Sequence, residues 1–421
     1  MSNPSFWGVL RRNANYRYTW IGQVVSEIGD HFNNIAVFSL ALQHTKSGLV
    51  VSGIMLARAI PAILAGPVAG VALDHYDRRR IMIASDLIRA VLALGFILAM
   101  HSNAMLYVFS ALLMFASPFF SSGRSAILPA ITTPEELHVA NSLTQTTGAA
   151  TLTLGTLFAG IAVDQLGFHW AFVFNSLSFA ISAFCIWRTR VPARVVEGPK
   201  RAPQHAYREG LRYIRSTPLI LGLALLNVGW ATGGGAAQIL FSLFGEIVFD
   251  RGAAGIGIIW SFAGIGLLIG GALAYWLGKR LSFPAYRWTI VICYIVHGGG
   301  YVVFSQMYSF GWALFFIALS RAGIAVSSVL NQNQLMRHVP DEYRGRVFST
   351  MESMLWATMM LSMMAAGIAS QHYSPRLIAA GAGVVTAMTA VFWAWGTITG
   401  RLKEPAVRNE ADLEIHGEPL Y

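Results

Sequence analysis

Twelve long apolar runs, parted by short stretches where arginine and lysine gather, leave this chain few folds to choose from. The runs fall roughly at 17–43, 48–73, 81–101, 104–128, 138–163 and 167–188, and again at 218–247, 253–278, 285–306, 310–336, 346–370 and 375–400. Each has room for the roughly 20 residues that a helix needs to cross a bilayer. Of 421 residues, 55% are hydrophobic and 12% charged. A soluble domain has about twice that charged share, so water cannot be the main solvent of this surface. The expectation is an all-α membrane protein with twelve transmembrane helices.

The basic residues set the orientation through the positive-inside bias. With the N-terminus in the cytoplasm, 24 of the 30 Lys and Arg fall on the cytoplasmic side. Only Lys46, Arg251 and Arg376 fall opposite, and Arg58, Arg89 and Arg321 lie within runs. Both termini are then cytoplasmic and the spans even in number. The same distribution argues against reading the net charge of +10 as a nucleic-acid surface, because the basic residues flank apolar runs. Cys185 and Cys293 both sit inside apolar runs, which implies neither a disulfide framework nor a metal site. The first run follows Arg11, Arg12 and Arg17 but many more come after it, so it reads as a retained helix and not a cleaved signal.

The chain repeats itself. "GVALDHYDRR" (70–79) closes the second run and "GALAYWLGKR" (271–280) closes the eighth. "ILPAITTPEELHVANS" (127–142) leaves the fourth, and "LMRHVPDEYRGRVFS" (335–349) leaves the tenth. Paired halves around a long central connection mark many transporters. The expected parts are a six-helix bundle over 1–188, a cytoplasmic linker over 189–217, a second bundle over 218–400 and a cytoplasmic tail over 401–421. The linker contains "YREGLRYIRS", an amphipathic helix with Leu211 and Ile214 on one side and Arg208, Arg212 and Arg215 around them. It suits an anionic membrane surface and a solvated connector equally.

The 70–79 knot resembles the loop between spans two and three of the major facilitator superfamily. That pattern runs Gly, three residues, Asp, Arg, any residue, Gly, then two basics; Gly70, Asp74, Arg78 and Arg79 match it. His75 stands where the pattern has Arg, and Asp77 where it has Gly. The variant is similar to the branch holding macrolide-efflux and enterobactin-exporter proteins, and with "PDEYRGRVFS" (340–349) the resemblance covers nearly the whole chain. It implies two pseudo-symmetric six-helix bundles. It also implies a cytoplasmic gate in which Gly70 permits close helix approach and Asp74 meets the positive N-terminus of the eleventh span, here near Arg346. Asp74, Arg78 and Arg79 would form that latch, with Asp86 and Arg89 as a structural pair beside it. Drug antiporters of the family carry Gly-Pro in the fifth span, where this chain has Gly155 and Thr156.

Ionisable groups within spans face a cavity or a partner. Gln23, Glu27, Asp30 and Asn34 follow i, i+4, i+7, i+11 and share one helix face. Burial favours a neutral carboxylate and a nearby cation favours a charged one, so a buried acid near an arginine can exchange a proton. Asp30, with Glu27, is the expected proton-coupling site; the plainer reading is that Asp30 only braces the second span through Arg58. Gln23, Asn34, Arg58, Asn227, Gln238, Arg321, Asn331 and Gln334 are the expected cavity residues, although a lone amide serves as helix–helix glue as readily.

No Walker-type phosphate loop, nucleophile elbow or metal-spaced His/Cys cluster occurs in the sequence, so an enzyme is not expected and neither is a cofactor. The expected function is proton-coupled export of a small amphipathic molecule, a drug or siderophore, from a bacterial inner membrane by a monomer. Its partners would be that solute, protons and membrane lipid, with no nucleic acid. Uptake, facilitated diffusion or lipid flipping on the same scaffold is the nearest alternative, and a non-transporting sensor the more distant one.

Overall fold

A computed structural model describes residues 6–191 and 203–404; the rest of the expected linker and tail lies outside the described residues. All regular structure among the described residues is helical. The helices are α1 (Phe6–Arg12), α2 (Ala14–Thr45), α3 (Gly48–His75), α4 (Arg78–Ala99), α5 (Asn103–Ile131), α6 (Pro134–Ala150), α7 (Thr156–Leu166), α8 (Phe168–Arg188), α9 (Pro203–Ser216), α10 (Pro218–Leu243), α11 (Gly252–Gly278), α12 (Phe283–Gln306), α13 (Phe310–His338), α14 (Asp341–Ala369) and α15 (Pro375–Ile398). A π-helical turn at Thr151–Gly155 joins α6 to α7, and another at Phe244–Val248 extends α10.

Eleven segments are long and apolar enough to cross a membrane, α6 and α7 counting together. The first expected span falls in α2, which is 32 residues long but is not among the eleven. α2 packs along α8, and its buried positions include Gln23, Ser26, Gly29 and Asn33. Its polarity is therefore turned inward and withheld from lipid.

Local chemistry places the breaks. Thr133 and Glu136 form a capping box with Pro134 at the start of α6. Gly167, at φ +87°, parts α7 from α8 in a conformation that side chains rarely take. Asp77 caps α4 by accepting from the Arg80 amide at 3.0 Å. That explains the acid where the resembled loop has glycine: here the position must start a helix as well as turn the chain.

The helices before residue 191 pack mainly on one another, as do those after residue 203. The two groups meet along α3–α14 and α7–α11. At the second seam Gly160 and Gly257 face each other, and a Cβ built on Gly160 would lie 2.9 Å from the Gly257 Cα. Close backbone approach of this kind holds helices together in lipid, where apolar burial gives no drive. Gly257→Leu is expected to lower the unfolding free energy in detergent by about 2 kcal/mol or more. Gly271→Leu, on the same helix but facing open space, is expected to leave it unchanged or raise it by up to about 1 kcal/mol. Denaturant titration of both purified variants checks the pair.

The seams are closed at one end only. At the end away from α9, Gly48 lies against Leu243 and Ser370, Gly367 against Ser52, and the Ser39 hydroxyl donates to Glu246 at 2.7 Å. At the end carrying α9, Gly66 and Gly70 of α3, Gly148 of α6, Gly271 of α11 and Gly345 of α14 have nothing near the space a side chain would fill. The halves are thus parted at the α9 end, where the basic residues concentrate.

Neither expectation for α9 describes its position. Ile214 is 1% exposed and belongs to the core of the second half. Tyr213 stacks on Tyr343 at 4.9 Å, and Glu209 pairs with Arg346 at 2.5 Å. The apolar stripe is spent on α14, so it covers protein and not a lipid surface.

Candidate functional site

A cavity of about 460 Å³ lies between the halves, lined from both. The first half contributes Asp30, His31, Asn34 and Phe38 of α2, Met55 and Arg58 of α3, Met114 of α5, Leu152 of the π turn and Thr156 of α7. The second contributes Gln238 of α10, Trp260 of α11 and Trp356, Met359 and Met363 of α14. Its wall is largely apolar and aromatic with a few convergent polar groups, the usual make-up of a small-molecule site.

Three of those polar groups hold atoms that the protein leaves unsatisfied. Asp30 Oδ1, Asn34 Oδ1 and one terminal nitrogen of Arg58 are buried with no hydrogen-bond partner. The Arg58 guanidinium lies 5.8 Å from the centre of the Phe38 ring. Such atoms cost free energy unless a solute, a proton or water meets them. Asp30, Asn34, Arg58 and Gln238 are thus brought together as expected.

The remaining expected cavity residues lie elsewhere. Gln23 and Glu27 share the face of Asp30 and Asn34 but sit nearer the α9 end, about two turns and one turn from Asp30 respectively. There the Gln23 amide donates to Glu27 at 2.7 Å, Thr151 donates to Glu27 at 2.9 Å, and Arg124 donates to Gln23. Glu27 is therefore held in a separate polar network linking α2, α5 and the π turn. Arg124 belongs to that network and is not a loop cation. Asn331 accepts from the buried Tyr286 hydroxyl at 2.8 Å and donates to Ser327 at 3.1 Å, which is glue within the second half. Gln334 bonds His338 one turn on, at 3.1 Å. Asn227, half-buried on α10, does not line the cavity. Arg321 lines a different, much smaller pocket.

The expected gate also divides. Gly70 approaches no neighbour, because the α9 end is parted. Arg78 donates to the Ala126 carbonyl at 2.7 Å, and Arg79 to the carbonyls of Ile186 at 3.2 Å and of Trp187. Both arginines thus reach carbonyls of α5 and α8, with Arg79 at the negative C-terminal end of α8. Those bonds tie the start of α4 to its own half. Asp74 is exposed; the start of α14 is engaged by α9 through Arg346 and Glu209. In the second copy of the loop, Tyr275 stands in the place of Asp74 and its hydroxyl accepts from Lys279 at 2.6 Å. Asp86 and Arg89 are a buried pair one turn apart on α4, with the guanidinium 4.8 Å from the Phe120 ring and 4.3 Å from Phe179. They join three helices of one half and do not bridge the two.

His31, Trp260, Trp356 and the methionines were missed by sequence reasoning. Trp356, Met359 and Met363 fall three and four positions apart on α14, a helical stripe of adaptable side chains. That spacing is the signal that pointed to them, but lipid-facing aromatics obscure it.

Comparison with known proteins agrees with this architecture. The sequence profile of the Major Facilitator Superfamily matches residues 19–357. The multidrug efflux pump Tap of Mycolicibacterium fortuitum is 27% identical over 357 residues, 80% of this chain and 85% of Tap. Macrolide efflux protein A of Streptococcus pyogenes is 23% identical over 346 residues, 80% of this chain and 84% of that protein. Among solved structures, an inward-facing bacterial homologue of the iron transporter ferroportin superposes with a TM-score of 0.73 at 17% identity, covering 90% of this chain and 98% of that one.

Proposed function

Because the chain belongs to the Major Facilitator Superfamily, a family of membrane transporters and not of enzymes, we propose that it exports a small amphipathic molecule, a drug or siderophore, in exchange for protons. The two halves would rock about the cavity and expose it to each side in turn. Asp30 would carry the proton, Arg58 would bias its charge state, and Asn34 and Gln238 would orient cargo against the Trp and Met wall.

One observation carries this reading: an acid and a guanidinium, both with buried unpartnered atoms, share a largely apolar chamber lined from both halves. A protonatable acid there links the charge of the chamber to the pH of whichever side it faces. The likeness to Tap and macrolide efflux protein A supports export of an amphipathic solute. The fifth span lacks the proline of drug antiporters, but a π turn at Thr151–Gly155 departs from regular α-helix just before that place.

The test is flux in reconstituted vesicles with an imposed pH gradient, using ethidium and a panel of macrolides and siderophores. Uphill movement that stops when a protonophore collapses the gradient is the expected result. Equal movement with and without the gradient would replace exchange by facilitated diffusion.

A further inference from the structure

We propose that the second half contains a small binding pocket for one monatomic monovalent anion, of the chloride class, held by Arg321 and Tyr301. Arg321 lies in mid-α13 and is 8% exposed; Tyr301, on α12, is 4% exposed. Both line a small cavity between α10, α12, α13 and Thr386 of α15. Arg321 Nε and the Tyr301 hydroxyl are buried there without hydrogen-bond partners. Two donors therefore converge on one space, and one of them bears a full positive charge.

Among the described residues no carboxylate pairs with Arg321; Glu246, in the π turn that extends α10, is engaged by Ser39. From Arg251 to Pro340 the sequence has no Asp or Glu, and α10 and α15 have none either. The one acid within the length of α14 past its first turn, Glu352, is exposed and accepts from Trp356. None of the described ion pairs involves Arg321. The face of Phe241, 5.0 Å from the guanidinium carbon, offers partial compensation only. A buried cation without a paired anion is among the costliest arrangements in a protein, and an ion from solution removes that cost.

Size selects the occupant. The cavity is about 10 Å³, room for one body of about water's dimensions. Carboxylates, phosphate and sulfate are excluded, while a bare halide fits with small shifts of its neighbours. His297 also lines the pocket, but its Nδ1 lies 3.0 Å from the Ser320 carbonyl, which can only accept. That nitrogen therefore spends its hydrogen on Ser320 and is not among the donors to the ion.

The pocket adjoins the large cavity through two rings. Phe241 lies between Arg321 and Trp260, its centroid 4.9 Å from that of Trp260, and Trp260 lines the cavity wall. Occupancy would therefore fix the back of that wall. The proposal stands on the second half alone and does not require the exporter reading.

The experiment is thermal unfolding of the purified full-length protein at constant ionic strength, with chloride or bromide replaced stepwise by gluconate. Halide binding to the folded state should raise Tm along a saturating curve. Tyr301→Phe should fold normally and weaken the apparent halide affinity about fivefold, and Arg321→Gln should abolish the response. Crystals grown in bromide should show an anomalous peak within hydrogen-bond reach of both side chains. Identical Tm in halide and gluconate would overturn the proposal, with water as the occupant. So would a halide response that Tyr301→Phe leaves unchanged, which would place the ion elsewhere.

Discussion

Asp30→Asn is expected to reduce gradient-driven export to the rate of empty vesicles while leaving the fold intact. Asparagine keeps the shape of the side chain and removes the ability to gain and lose a proton. Asp30 Oδ1 has no hydrogen bond in the protein, so the substitution breaks none there. Exchange of labelled for unlabelled cargo, with no gradient imposed, should survive. That split separates a coupling residue from a brace. Wild-type export by the variant would remove Asp30 from the mechanism, and loss of both modes would make it a binding or structural residue.

The largest stability effect is expected at Asp86. Its carboxylate is fully buried against Arg89, whose guanidinium lies between the rings of Phe120 and Phe179. Asp86→Ala strands a buried cation and should cost about 3–5 kcal/mol. Replacing both partners with apolar side chains of similar volume, Asp86→Leu with Arg89→Met, should recover most of that loss, because no unpaired charge remains. A double-mutant cycle followed by unfolding in detergent measures the coupling directly. If Asp86→Ala proves nearly neutral, the pair does not hold α4, α5 and α8 together. Transport by a folded double variant should be close to normal, since the pair lies within one half.

The apolar spans were legible in the sequence because bilayer thickness and hydropathy act on one helix at a time. The Asp30–Asn34–Arg58–Gln238 group was legible for a related reason: a polar group at membrane depth must face inward. Which partner it faces depends on packing. Gln23, Glu27, Asp30 and Asn34 occupy one stripe, but the neighbours of α2 change along its length. The outer pair meets Arg124 and Thr151, and the inner pair meets the cavity. The amphipathic pattern around Ile214 correctly marked an apolar stripe on α9 and could not say that α14 would cover it. Gly70 was read as a point of close helix approach, but such an approach exists only in one arrangement of the bundles. Here the parted end leaves Gly70 without a neighbour.

The one-sided closure of the seams has a practical consequence. With Gly48 and Ser39 shut against the second half and Gly367 against Ser52 of the first, the chamber is a blind alley in this arrangement. While the bundles hold this arrangement, a bulky thiol reagent should modify a cysteine engineered at Met359 from the face that bears α9 and not from the other, and a molecule lodged beside Asp30 stays until the halves rock or leaves by the door through which it came.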